Sequence, residues 1–221
     1  MDFIELKDVY FEYEKDKPII KNINLKINKD EITAIVGANG SGKTTLGKLI
    51  MGILKPAKGQ VIICKKDICN MTLAEIGSKI GYLFQNPEKH FFCNTVEEEL
   101  AFALRFNGYD VNYINGKVEE LLTLFQLQDK RNDSPLFLSQ GEKQRLAIAT
   151  ILINNPEYLI LDEPTTGLDS YRKGILIDIL KDLIKKGVGM TIISHDHFTI
   201  EELSHRRIGL KWGEIQYDER N

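Results

Sequence analysis

The segment at residues 37–44 constrains the fold of this chain more than any other part of its sequence. It reads Gly-Ala-Asn-Gly-Ser-Gly-Lys-Thr and matches the phosphate-loop pattern G-x-x-x-x-G-K-[ST]. The apolar, β-branched run 32–36 before it predicts a buried strand, and the apolar spacing of residues 45–50 after it predicts a helix. A strand, a glycine-rich loop and a helix in this order predict an α/β fold.

A loop of this kind holds phosphate groups through its backbone. Glycines let the chain curl until several N–H groups point inward, and the following helix adds its positive N-terminus. Lys43 supplies a cation for the β and γ phosphates, and the Thr44 hydroxyl is a suitable ligand for Mg2+. The expected nucleotide contacts are Gly37, Ala38, Asn39, Gly40, Ser41, Gly42, Lys43, Thr44 and Thr45. The alternative is a glycine-rich turn without a ligand.

Composition and charge argue against several classes of protein. The chain has 221 residues, enough for one large domain or two small ones, and its net charge of −3 gives no reason to expect nucleic-acid binding. It has no apolar run of about 18 residues, and residues 1–5 do not resemble a signal peptide. Cys64, Cys69 and Cys93 are too scattered for a disulfide framework or a zinc site. These features predict a cytosolic protein.

The residues before the phosphate loop predict a second, smaller sheet. Residues 2–13 and 23–27 have alternating apolar positions, which is typical of strands, and a polar turn at 14–18 separates them. We expect these strands to form an antiparallel sheet beside the main one. Tyr13 falls at the end of the first strand, where its ring can stack on a purine base. An ordinary strand aromatic is the alternative.

Three further apolar runs that predict buried strands end on polar side chains. These are Gln85, the pair Asp162 and Glu163, and His195. Open α/β sheets bind ligands at the carboxyl ends of their strands. If the strand before Asp162 neighbours the phosphate-loop strand, Asp162 can orient the water shell of Mg2+ and Glu163 can accept a proton from an attacking water. The alternatives are a solvated acidic turn and a structural histidine.

The region 87–137 differs from the rest of the chain. Its apolar spacing predicts two amphipathic helices, at 96–104 and 118–127, with no convincing strand between them. This pattern predicts a helical insertion within the α/β domain. Most of its apolar positions are expected in the core, and the exposed remainder is available for docking.

Segment 138–142, Leu-Ser-Gln-Gly-Glu, is expected to open a long helix that ends near residue 154. Ser139 and Glu142 have the spacing of a capping box. The alternative is a second phosphate site made by the Ser139 hydroxyl and the N–H groups of the helix N-terminus. The remaining patterns predict strands at 60–64, 207–211 and 214–217 and helices at 72–79, 170–186 and 198–204.

Taken together, these motifs resemble the nucleotide-binding subunit of ATP-binding cassette (ABC) proteins over essentially the whole chain. Six elements occur in the family order: the phosphate loop 37–44, Gln85, the signature segment 138–142, Asp162-Glu163, Asp169 and His195. The resemblance implies an α/β fold: a P-loop NTPase (RecA-like) core with a small antiparallel β subdomain and an inserted helical subdomain. One domain would cover residues 1–221, with the core and β subdomain at 1–86 and 138–221 and the helices at 87–137.

The resemblance also implies roles and partners. Family members hold ATP between two copies packed head to tail, so Ser139 and Gly141 would act in trans on the partner's γ-phosphate. A second ABC ATPase subunit and an integral membrane subunit would be the partners, with this chain at the cytoplasmic face of the membrane. Within one chain, Tyr13 would stack on adenine and Lys43 would contact the phosphates. Thr44 and Gln85 would ligate Mg2+, and Asp162 would orient its water shell. Glu163 would be the general base, and His195 would contact the γ-phosphate.

The signature segment departs from the usual Leu-Ser-Gly-Gly-Gln of the family. Gln140 replaces the first glycine and Glu142 replaces the glutamine, whereas Ser139 and Gly141 are retained. Glu142 would bring a carboxylate near a polyphosphate. That charge would either weaken the composite site or be offset by Lys143 and Arg145, and we expect function to survive.

Within the family, the segment Phe-Gln-Asn-Pro-Glu at 84–88 and the acidic helix start at 96–102 look like those of energy-coupling-factor transporters. These transporters import vitamins and metal ions such as cobalt or nickel. Lys89 and His90 depart from that subgroup, which usually has an acidic, glutamine-containing segment there. Two alternatives remain: a soluble cassette ATPase that acts on ribosomes or DNA, and a degenerate nucleotide-binding partner without turnover.

Overall fold

Two β-sheets form the framework of the fold. The computed structural model describes residues 2–220, so Met1 and Asn221 of the predicted domain lie outside the described residues. One sheet has the strand order β2-β1-β4-β5 and the other β10-β9-β3-β8-β7-β6. The strands are β1 Asp2–Glu14, β2 Lys17–Asn28, β3 Thr33–Val36, β4 Lys58–Ile63, β5 Lys66–Asp67, β6 Ile80–Leu83, β7 Tyr158–Asp162, β8 Gly189–Ile193, β9 Arg206–Lys211 and β10 Glu214–Arg220.

Helices pack around the second sheet. They are α1 Lys43–Ile50, α2 Leu73–Gly77, α3 Val96–Phe106, α4 Val111–Leu124, α5 Gln140–Leu152, α6 Ser170–Lys185 and α7 His197–Leu203. Short 3-10 turns lie at Ile68–Asn70, Pro87–His90, Gln128–Lys130 and Pro135–Phe137. No helix among the described residues is both long and apolar enough to cross a lipid bilayer.

The first sheet is antiparallel, as the alternating pattern of its strands predicted. β1 and β2 form a long hairpin, closed by a short turn in which Asp16 adopts a positive φ of 64°. Alternate residues such as Leu6 and Ile23 are fully buried, so one face of the hairpin packs in the core. The hairpin places Tyr13, at the end of β1, close to the start of α1.

The second sheet is parallel except for its edge strand β10. Every residue of β7 and β8 is buried, which explains why these strands are continuous apolar runs in the sequence. Alternate residues serve opposite faces: Leu159 and Leu161 pack with the helices α3–α6, and Tyr158 and Ile160 pack with α1 and the first sheet.

The strand order does not meet the condition on which the role of Asp162 was predicted. β7, which ends at Asp162, is not a neighbour of the phosphate-loop strand β3, because β8 lies between them. Each parallel crossover carries the chain over the sheet through a helix, and the sequence does not encode how many strands it passes. Asp162 therefore reaches the phosphate loop across the end of β8.

The region between Pro87 and Phe137 is helical in the described structure, as predicted. Its second helix starts at Val111, earlier than the predicted 118, because the Asp110 carboxylate caps it by accepting the N–H groups of Asn112 and Tyr113. Most apolar side chains of the region are buried: Val96, Leu100, Leu104, Ile114, Val118, Leu121, Leu122 and Phe125 join the same cluster as α5. Core packing thus accounts for most of its apolar pattern.

Candidate functional site

The phosphate loop joins β3 to α1 and leaves the start of α1 without a side-chain cap. The N-cap residue is Gly42, whose φ of 103° lies in the region that glycine tolerates best. A side chain at Gly37 would place its Cβ 2.2 Å from the Leu210 carbonyl oxygen, so the close approach of β9 requires glycine there. The first N–H groups of α1 are consequently available to an anion.

Two polar side chains of the loop point into it. The buried Lys43 ammonium donates to the carbonyl oxygens of Gly37, at 2.8 Å, and Ala38, at 3.0 Å. The Ser41 hydroxyl is buried and has no hydrogen-bond partner within the described part of the chain. A buried hydroxyl without a partner is unfavourable. This loop therefore fits a bound phosphate that would give Ser41 its missing partner.

An open cleft of about 400 Å³ lies over the loop. Its lining brings together residues that the sequence predicted from separate motifs: Tyr13, Asn39, Gly40, Gly42, Lys43, Thr44, Thr45, Gln85 and Glu163. Ile19, which no motif predicted, also lines it. The Tyr13 hydroxyl lies 3.5 Å from Thr45 Oγ1, and 58% of the residue is exposed. Phe11 holds the Tyr13 ring edge-on at 4.8 Å between centroids. The exposed ring is free to stack on a base.

Asp162 offers an oxygen to the same end of the sheet. Its Oδ2 accepts the Tyr82 hydroxyl at 3.2 Å, whereas Oδ1 is buried and has no partner among the described residues. Burial raises the pKa of Asp162, and the neighbouring hydroxyls of Thr44 and Tyr82 oppose that rise. The Thr44 hydroxyl, the Gln85 amide and the unpaired Asp162 oxygen form the kind of sparse oxygen set that Mg2+ takes alongside phosphate and water. The residues therefore fit a magnesium ion.

Glu163 is the most constrained side chain of the site. Its φ of 52° is in the left-handed region, and its N–H donates to the Ile193 carbonyl at 2.8 Å. Only 6% of the residue is exposed. Its Oε1 lies 2.7 Å from His195 Nδ1, and its Oε2 accepts the hydroxyls of Ser194 and Thr166, each at 3.2 Å.

This arrangement holds a carboxylate and an imidazole against each other at the edge of the phosphate cleft. His195 is 60% exposed in its side chain, so its second ring nitrogen is accessible to a ligand. Sequence reasoning predicted both members but missed Ser194, Thr166 and Tyr82, which hold the two acids. The available signal for Ser194 was its position directly before His195, whereas Thr166 lies three residues after Glu163 and had no such signal.

Gln85 lines the cleft and lies just before the 3-10 turn Pro87–His90. His90 Nε2 accepts the Phe84 N–H at 3.2 Å, and burial lowers the pKa of this histidine to about 4, so it is a neutral acceptor near pH 7. The histidine that departs from the subgroup pattern thus fixes the backbone next to Gln85. On the other side of the turn, Glu88 pairs with the Lys143 ammonium.

The signature segment forms the predicted capping box. The Ser139 N–H donates to Glu142 Oε2 at 2.8 Å, and the Glu142 N–H donates to Ser139 Oγ at 3.4 Å. Of the two cations considered as a counter-charge for Glu142, Lys143 pairs with Glu88 instead. Burial acts to raise the pKa of Glu142, but hydrogen bonds from Ser139 and the charges of Lys130 and Arg145 hold it below its usual range. The carboxylate is therefore turned back onto its own helix.

Comparison with known proteins yields consistent similarities. The family model described as ABC transporter matches residues 20–166. The energy-coupling factor transporter ATP-binding protein EcfA of Methanothermobacter thermautotrophicus is 40% identical over 214 residues, which cover 96% of this chain and 69% of that protein.

Two solved structures have the same fold. The protein cbiO1 from Clostridium perfringens, described as part of the ABC transporter complex cbiONQ, has a TM-score of 0.91 at 28% identity and covers 99% of this chain and 88% of its own. The ATP-binding cassette MJ0796, in a dimeric post-hydrolysis state bound to ADP and Pi, has a TM-score of 0.88 at 30% identity and covers 98% of both chains.

Proposed function

Because this chain belongs to the ABC transporter family, as an ATPase subunit, we propose that it powers a membrane importer of the energy-coupling-factor type. The transported solute would be a vitamin or a metal ion. The observation that carries the ATPase chemistry is the meeting of Tyr13, the phosphate loop, Gln85 and Glu163 in one cleft. The similarity to EcfA and to a subunit of the cbiONQ complex supports the subgroup.

In the proposed reaction, the chain's own groups bind ATP and prepare a water molecule for attack. Tyr13 stacks on the adenine, and Lys43 and the α1 N-terminus hold the phosphates. Thr44, Gln85 and Asp162 would hold Mg2+, which would neutralise charge on the phosphate oxygens.

Glu163 takes the proton of the attacking water. Its Oε2 stays fixed by two hydroxyls, while Oε1 faces His195. We propose that His195 exchanges its bond with Glu163 for one to the γ-phosphate. The exchange would free Oε1 to accept the proton of a water in line with the γ-phosphate.

The proposed working unit is a head-to-tail pair with a second copy or a close relative. Within the described chain, neither Ser139 nor Gly141 lines the cleft that holds the phosphate loop. A role for both residues at the nucleotide of the partner accounts for this separation. The dimeric state of the similar cassette MJ0796 supports pairing.

We further propose that the membrane subunit docks on the helical insertion near residues 85–106. Phe92, Phe102 and Phe106 are 65%, 43% and 81% exposed, and their rings contact one another in sequence, with centroids 4.5 Å and 6.2 Å apart. Contiguous exposed apolar rings mark interaction surfaces. Gln85 lines the nucleotide cleft, and the turn Pro87–His90 connects it to Phe92, which suits a sensing role. The chain would then sit peripherally at the cytoplasmic face of the membrane.

Removal of the Tyr13 ring should weaken ATP binding by about tenfold in Tyr13→Ala, because base–aromatic stacking contributes about 1–3 kcal/mol per base. Tyr13→Phe keeps the ring and should bind ATP like the wild type. Equilibrium titration with ATP and with free triphosphate distinguishes the roles: the triphosphate should bind both variants equally. Equal ATP affinity of Tyr13→Ala and the wild type would remove Tyr13 from the site.

Purification of the tagged chain from detergent-solubilised membranes of its native host tests the transport proposal. We expect an integral membrane protein, a second cassette ATPase and a small solute-binding membrane subunit to co-purify. The variant Phe102→Ser/Phe106→Ser should lose the membrane partner, whereas Phe198→Ser, which removes an exposed ring outside the insertion, should keep it. Co-purification of ribosomes, DNA or only soluble partners would overturn the transport claim and leave the ATPase chemistry standing.

A further inference from the structure

The peptide that carries His195 is held by side chains outside the predicted motifs. Ser194 is fully buried, and its hydroxyl donates to Glu163 Oε2 at 3.2 Å. The same hydroxyl accepts the Asp196 N–H at 3.0 Å. Ser194 therefore ties the backbone on the far side of His195 to the carboxylate that His195 itself contacts.

The Asp196 carboxylate gathers three other parts of the chain around this peptide. Its Oδ2 accepts the Lys173 ammonium at 2.8 Å, the Thr199 hydroxyl at 2.9 Å and the Thr165 hydroxyl at 3.2 Å. Burial acts to raise the pKa of Asp196, but the bonds from Lys173 and the two threonines hold it below its usual range. Asp196 is thus a charged acceptor near neutral pH.

Lys173 brings α6 into this network. The helix starts directly after Asp169, whose carboxylate caps it, and Lys173 lies one turn further on. The ammonium and the Asp196 carboxylate are only 27% and 21% exposed. A partly buried pair of this kind is screened less by water than the surface ion pairs of the chain.

We propose that Lys173 and Asp196 are positioning residues for ATP hydrolysis. Their ion pair fixes the peptide 194–196 against α6, so that the Ser194 hydroxyl and the His195 ring converge on the Glu163 carboxylate. Neither residue is among the described residues that line the cleft, so they act through Ser194 and His195. The inference rests on the proposed role of Glu163 as the general base.

A general base must stay within hydrogen-bond reach of the proton it removes, and a misplacement of about 1 Å can cost about a hundredfold in rate. Lys173 is the charged partner of the Asp196 carboxylate within the described structure, and the other two contacts are neutral hydroxyls. Without Lys173, the peptide 194–196 can shift along α7. The nucleotide-binding groups of the phosphate loop lie elsewhere, so affinity for ATP should be spared.

The test measures kcat and KM for ATP hydrolysis by the purified full chain. Lys173→Met should lower kcat by about tenfold and leave KM within about twofold. Lys173→Arg keeps a cation that can reach Asp196 and should restore most of the rate. Lys181→Met is the matched control, because Lys181 pairs with Glu202 and also joins α6 to α7 without touching the peptide 194–196. That control should keep the wild-type kcat.

A double variant checks that the two residues act together. Lys173→Met/Asp196→Asn should be no slower than the slower single variant, since each change breaks the same link. Wild-type kcat in Lys173→Met, an equal loss in Lys181→Met, or additive losses in the double variant would each overturn the proposal. Glu163→Gln in the same assay separates the two claims: turnover in that variant rejects the role of Glu163, whereas its loss beside a fully active Lys173→Met rejects only the positioning role.

Discussion

Glu163→Gln is expected to reduce the rate of ATP hydrolysis by at least about a hundredfold while ATP affinity stays within about threefold, since general bases contribute roughly 10²–10⁴ to such rates. Glutamine keeps the size of the side chain and one oxygen acceptor, which can still take the hydroxyls of Ser194 and Thr166. It lacks a carboxylate that can accept the proton of the attacking water. The change therefore removes the chemistry with little change to the shape of the cleft.

Phosphate release and ATP titration measure the two effects separately. The sole tryptophan, Trp212, is a built-in reporter, because the next residue, Gly213, donates its N–H to the Ser41 carbonyl of the phosphate loop at 3.1 Å. Glu157→Gln is the matched control: it makes the same change just before β7, whereas Glu163 follows the other end of that strand. Turnover of Glu163→Gln within about fivefold of the wild type would contradict the proposed role.

The same variant also tests pairing. If ATP lies between two copies, the stalled complex should double in mass when ATP is added, which light scattering after size-exclusion chromatography measures. Glu163→Gln should then elute as a dimer with ATP and as a monomer without it. A monomer at saturating ATP would contradict self-pairing and leave a second, different cassette as the partner to be tested.

Lys43→Ala is expected to weaken ATP binding by at least about a hundredfold, since charge-assisted contacts contribute roughly 1.5–3 kcal/mol each and the ammonium serves two phosphates. Lys43 is buried in the loop and donates to the carbonyl oxygens of Gly37 and Ala38. Its removal leaves the loop amides alone to hold a polyphosphate. Turnover should fall in parallel, because the site no longer fills.

Lys48→Ala is the control for this substitution. Lys48 lies in the last turn of the same helix α1, away from the loop, so the same charge is removed without a phosphate contact. We expect wild-type ATP affinity for that variant and an unchanged unfolding temperature for both. A loss of less than about fivefold in Lys43→Ala would contradict the phosphate role of Lys43.

Local patterns were enough to predict most elements of the fold. The periodicity of apolar residues located the strands β3, β7 and β8 and the helices α3 and α6, because burial of one or both faces repeats along the chain. The Ser139 capping box and the antiparallel hairpin were also predicted, since turn and cap residues act over a few positions. The start of α4 was missed because the Asp110 cap lies outside the apolar pattern.

The sequence by itself determined which residues could carry the chemistry: the phosphate loop needs its glycines, and acids at strand ends stand out against apolar runs. Only the tertiary structure decided how they are held. β8 separates β3 from β7, and the hydroxyls of Ser194 and Thr166 hold the Glu163 carboxylate. Lys143 forms an ion pair with Glu88 and not with Glu142. Some of these contacts join residues that are distant in sequence, and others depend on which rotamer a side chain adopts. The packing of the whole chain determines the contacts and the rotamers, so no local sequence pattern encodes them.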